Sequence, residues 1–152
     1  MKTKWVPQFL LLLAAILLIT AGCDGDDDNT VSDVNDLFGT WVQESVTING
    51  VGADLADVLE WDEETVAGYL ALYNDYTYEA KEVNASDSNL YLETGTFDID
   101  DSWLIVTAST ENGSPVTPHQ VFNGQWSTNG IVLTLTQTVG NDTMVLTLHR
   151  PR

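Results

Sequence analysis

Alternation between an apolar and a mostly polar side is clearest in two stretches near the end of the chain, and this limits the fold more than any other feature. Ile131, Leu133 and Leu135 fall on one side of an extended chain, with Thr134, Thr136 and Thr138 on the other. Met144, Leu146 and Leu148 repeat the pattern against Val145, Thr147 and His149. A period of two with one apolar side describes an antiparallel sheet covered on one face only. From Leu37 onward the texture is similar, rich in Val, Ile, Thr, Tyr and Trp and broken at short intervals by turn residues. Strands are expected at 40–48, 66–73, 76–82, 89–99, 103–109, 118–127, 131–139 and 143–149.

Asn74-Asp75, Asp100-Asp101 and Asn129-Gly130 stand where two-residue hairpin turns belong, and Gly140-Asn141-Asp142 precedes the last strand. Asn-Gly is the strongest of these signals, because a type I′ turn needs positive φ at both central residues. One short helix is expected over Ala53–Leu59, where Leu55, Val58 and Leu59 share a side. A weak repeat adds to the pattern. Gly95-Thr96-Phe97 recurs 29 residues later as Gly124-Gln125-Trp126, and at the same offset Leu104, Val106 and Thr107 match Leu133, Leu135 and Thr136. Each copy reads as a Gly-x-aromatic strand, a turn and an apolar strand, as in successive hairpins of a meander. The expectation is an all-β domain, an antiparallel up-and-down barrel of about eight strands with one short helix. Closure leaves no exposed edges.

The front of the chain is different. Lys2 and Lys4 precede an apolar run from Phe9 to Ile19, and Thr20-Ala21-Gly22 lead to Cys23. A charged start, a short apolar core and small residues at a cleavage site make a secretory signal over residues 1–22. A bilayer-spanning helix needs about 20 apolar residues, roughly twice this run. Ile19-Thr20-Ala21-Gly22-Cys23 resembles a lipobox, although Thr20 stands where Leu is usual. The resemblance implies that Cys23 is lipidated and becomes the first residue of the mature protein. Cys23 is also the only cysteine, so an exported thiol with no disulfide partner has a use as the lipid site. Two or three fatty chains make such an anchor effectively permanent.

Residues 23–36 carry little apolar content and four aspartates in Asp24–Asp28, which reads as a flexible acidic tether. A calcium loop would need Gly sixth and Glu twelfth after Asp24, and Asn29 and Asn35 occupy those places. An acidic run after the cysteine is similar to the export tags of bacterial surface lipoproteins, while in enteric bacteria Asp directly after the cysteine signals inner-membrane retention. Outer membrane or cell surface is the favoured location. Without residues 1–22, three basic residues face 23 acids, a net charge of −20. That excludes nucleic acid as a partner and suits either a solvated surface or a docking face for a cationic envelope protein or for divalent ions.

Leu37-Phe38-Gly39-Thr40-Trp41 resembles the opening of the first strand in lipocalin-like domains of bacterial lipoproteins. Leu70–Tyr78 is similar to their second hairpin, and Gly124-Gln125-Trp126-Ser127 with Leu133-Thr134-Leu135-Thr136 to a late one. The likeness covers most of the domain at 37–152. It implies a barrel or half-barrel able to hold a small apolar molecule, and a basic residue late in the chain packed over the first-strand tryptophan. Arg150 and Trp41 match those two positions. Simple alternation, however, puts Trp41 with Gln43, Ser45 and Thr47, so a bulge is required to turn it inward.

No catalytic constellation, cofactor motif or metal-ligand spacing is visible. His119, in a proline-flanked loop, and His149, on the polar side of the last strand, read as surface groups, and neither a G-x-S-x-G elbow nor a phosphate loop occurs. Carboxylates are too numerous to single out a glycosidase pair. The aromatic residues Trp61, Tyr69, Tyr73, Tyr76 and Tyr78 are the candidate ligand-binding group, set against ordinary strand packing. The function expected is non-enzymatic binding of a small hydrophobic ligand by a membrane-anchored lipoprotein. The alternative is a structural or protein-interaction lipoprotein of the envelope without such a ligand.

Overall fold

A computed structural model describes residues 33–152. The expected signal segment, Cys23 and the tether as far as residue 32 lie outside the described residues. The domain begins four residues earlier than the sequence suggests. Asp33 caps a single helical turn, α1 (Val34–Leu37), by accepting from the Asn35 amide at 2.9 Å, and Leu37 is fully buried. Residues 33–36 therefore belong to the domain and not to the tether, because Val34 and Leu37 have core to pack against.

Nine strands follow: β1 (Gly39–Ile48), β2 (Val51–Ala53), β3 (Ala67–Leu72), β4 (Thr77–Val83), β5 (Asn89–Asp100), β6 (Trp103–Glu111), β7 (Ser114–Thr128), β8 (Val132–Val139) and β9 (Asp142–His149). Every pairing is antiparallel, and β9 pairs back onto β1, so eight strands close into a barrel with β2 as an extra ribbon on the end of β1. The second helix, α2 (Leu55–Val58), is shorter than Ala53–Leu59 because Ala53 is taken into β2 opposite Val46. Leu55, Val58 and Leu59 still pack together onto the core. Among the described residues no helix is long and apolar enough to cross a membrane.

Turn chemistry departs from the sequence reading in instructive ways. Asn49-Gly50 and Asn112-Gly113 have positive φ at both residues and form the type I′ turns of the β1–β2 and β6–β7 hairpins. The Asn129 side chain instead accepts from the amides of Ile131 and Val132, an Asx-type wrap that lengthens the β7–β8 connection. Ile131 consequently leaves the strand and is 67% exposed, although alternation placed it with Leu133 and Leu135. The β3–β4 turn takes three residues, with Tyr76 at φ +64°, and the β5–β6 turn is Asp101-Ser102.

The interior is filled. Trp41, Leu72, Tyr78, Phe97, Leu104, Leu133 and Leu148 occupy it with almost no exposure. Leu37 of α1 and the apolar side of α2 join this core. The bulge that Trp41 requires is present at Glu44, where the β1–β9 register slips between Gln43 and Ser45. Trp41 then faces inward before the bulge and Val46 after it. The Trp41 indole donates to the Leu37 carbonyl at 2.8 Å, and the Arg150 guanidinium lies 3.9 Å above its ring. Arg150 also donates to the carbonyls of Gly130 and Asp36, joining the last strand to the β7–β8 connection and to α1.

Candidate functional site

The five aromatic residues singled out from the sequence do not share one cavity. Tyr78 is a core residue, 2% exposed, and its hydroxyl donates to Glu93 Oε1 at 2.7 Å. Tyr76 lies in the left-handed turn before β4, half-exposed, with its ring against Phe38 and the core residue Phe97 at centroid distances of 6.2 and 5.6 Å. Tyr69 lies on the outer side under the Lys81 ammonium, 5.5 Å from its ring centre. Trp61 packs over Gly68 beside the Gln43 side chain, whose Oε1 is buried without a hydrogen-bond partner. Tyr73 and Tyr78 border a depression open to solvent, about 390 Å³, completed by Thr77, Glu79, Thr94, Gly95, Thr96 and Ser109. Its rim is rich in hydroxyls, with the Glu79 carboxylate beside them.

The other end of the interior is polar, and there the structure assembles a group that sequence spacing did not show. Glu93 on β5 is nine-tenths buried. Tyr78 donates to one of its oxygens and Tyr91 to the other, at 2.7 and 3.1 Å. Glu111 at the end of β6 and His119 on β7 come to it, with all three ligand atoms within 4.8 Å of one another. His119 is not in a proline-flanked loop. It belongs to β7, and Pro115 and Pro118 are tolerated because Ser114–Gly124 pair with β6 alone, leaving the other edge free of ladder bonds.

Two slips in register explain the convergence. Alternation from Ala108 would send Glu111 outward, but the β5–β6 register shifts at Ser109, so Glu111 pairs with Glu93. Alternation from Phe122 would send His119 outward, but the β6–β7 register shifts at Val121, so His119 pairs with the buried Ala108. Burial pushes the Tyr78 and Tyr91 phenols well above their ordinary range. Beyond burial, the hydrogen bond to Glu93 adds most for Tyr78 and the charge of Glu93 adds most for Tyr91, while Glu111 raises both further. Both phenols stay protonated and remain donors to Glu93. His149, the other histidine, turns its Nδ1 to the Arg150 carbonyl at 2.8 Å, away from this group.

No protein-family model, curated protein or solved structure matches this chain.

Proposed function

We propose that this protein is a non-enzymatic, lipid-anchored envelope lipoprotein whose lipocalin-like barrel serves as a docking module for a cationic partner protein. The observation that carries the reading is the filled interior. With Trp41, Phe97, Leu104 and Leu133 packed across it and helical turns adding apolar side chains to the same core, an apolar guest would have to displace side chains already at close packing. The surface supplies the complementary feature. Asp54, Asp57, Glu60, Asp62, Glu63 and Glu64 are all exposed within eleven residues around α2. Fields of one sign steer oppositely charged partners and set specificity. Anchoring at Cys23, with the outer membrane or cell surface as the favoured location, follows from the signal architecture and the single cysteine. Nucleic acid is not a partner of so acidic a chain.

The anchor is tested directly. Cells fed a labelled fatty acid are expected to label the wild type, while Cys23→Ala remains unlabelled and leaves the membrane fraction. Equal labelling of both would refute lipidation at Cys23.

Docking is tested with a photo-reactive residue in place of Glu64 in living cells. One defined adduct is expected, and it should disappear when Glu60, Asp62 and Glu63 become Gln while the circular dichroism of the domain is unchanged. A second reading, binding of a small ligand, is favoured only by the depression beside Tyr73. Absence of any adduct, together with saturable binding of a long-chain fatty acid that Tyr73→Ala abolishes, would replace the docking reading with that one.

A further inference from the structure

We propose that Glu93, Glu111 and His119 form a binding site for a divalent transition-metal ion, zinc foremost. The donor set is mixed, one imidazole nitrogen and two carboxylate oxygens, brought from three adjacent strands to one point. An imidazole donor argues against calcium and magnesium, which take oxygen ligands, and fits zinc and its neighbours. Three protein ligands with the remaining positions open to water is the arrangement of accessible zinc sites.

The orientation of His119 is a separate observation that points to a cation. Its Nδ1 lies 3.1 Å from the Thr117 carbonyl, which can only accept, so Nδ1 carries the proton. Nε2 is then the ring nitrogen that faces the Glu111 carboxylate. The Nε2–Glu111 separation is 3.9 Å, too long for a hydrogen bond. That gap, wider than a hydrogen bond, is where an ion held by both the imidazole and the carboxylates would sit. A histidine whose other nitrogen is fixed by a backbone carbonyl is the usual outer support of a metal ligand, and the two phenols play the same part for Glu93.

Distances fit with a small adjustment. Donors bound at about 2.1 Å around zinc lie about 3.4 Å apart, somewhat closer than the 3.9 Å between His119 Nε2 and Glu111, with all three donors within 4.8 Å of one another. Glu93 is fixed by its two tyrosines. The Glu111 and His119 side chains, 34% and 42% exposed, have the freedom to close the gap.

The test uses the full-length chain in detergent micelles, titrated with Co²⁺ followed by its visible d–d absorption and then with Zn²⁺ in competition. Saturable one-to-one binding is expected, weakened at least tenfold in His119→Gln and in Glu111→Gln. It should be unchanged in His149→Gln and in a variant with Asp24, Asp26, Asp27 and Asp28 replaced by Asn. Because Glu93 is buried, its variant is secondary, and the two exposed positions keep the test independent of folding. Binding that survives both His119→Gln and Glu111→Gln, or weak non-saturating uptake by an adventitious ion only, would overturn the proposal.

Discussion

Trp41→Ala is expected to destabilise the domain by about 3–5 kcal/mol, the range for removing a large buried aromatic. Domains of this size are stable by roughly 5–15 kcal/mol in total, so the substitution removes between about a fifth and all of that margin. The size of the effect follows from what Trp41 joins. Its ring has no exposure, its N–H ties α1 to the start of β1, and its face supports the Arg150 guanidinium. Trp41→Phe keeps most of the volume and loses the bond to the Leu37 carbonyl, so about 1–2 kcal/mol is expected for that part. A double-mutant cycle with Arg150→Ala should give a coupling of about 1–2 kcal/mol for the cation–π contact. Urea unfolding followed by circular dichroism measures all four variants. Additive losses for Trp41 and Arg150 would show that the stacking contributes nothing beyond separate packing.

Gly95→Ala is expected to cost about 3 kcal/mol or more, the severe end of overpacking. A Cβ there would lie 2.0 Å from the Thr107 carbonyl oxygen and 2.9 Å from the Tyr78 ring, and backbone in the middle of a closed sheet cannot move aside cheaply. Gly124→Ala should behave alike, with 2.2 Å to the Thr136 carbonyl oxygen. Gly52 on β2 is the control. Nothing lies within 4 Å of its hypothetical Cβ, so Gly52→Ala should stay within about 0.5 kcal/mol of wild type. Thermal melts of the three variants decide the matter. Equal melting temperatures for Gly95→Ala and Gly52→Ala would mean that the strands separate there at little cost.

These two glycines give the internal repeat its physical meaning. Gly95 and Gly124 are 29 residues apart, and so are Thr107 and Thr136, whose carbonyls press on them. The aromatics that follow, Phe97 and Trp126, and the partners Leu104 with Leu133 and Val106 with Leu135, are all buried. The repeat therefore marks two equivalent places where one strand of a narrow barrel crosses closely over the next. Only glycine leaves room for a carbonyl at that separation.

The residues alone determined the strands, their antiparallel order and the closure into a barrel, because apolar alternation and short connections are local properties carried by each hairpin. They also called for a bulge in the first strand, since simple alternation groups Trp41 with Gln43, Ser45 and Thr47. The tertiary structure alone decided where the remaining bulges lie. A slip of one residue reverses every side chain beyond it, and neither Ser109 nor Val121 announces a slip in its own chemistry. Those two slips bring Glu111 and His119 onto the face of Glu93. Likewise, whether Tyr76 faced a lumen depended on a left-handed turn residue. Whether a lumen existed depended on how the volumes of Trp41, Tyr78 and Phe97 add up across the barrel, a sum over residues distant in sequence.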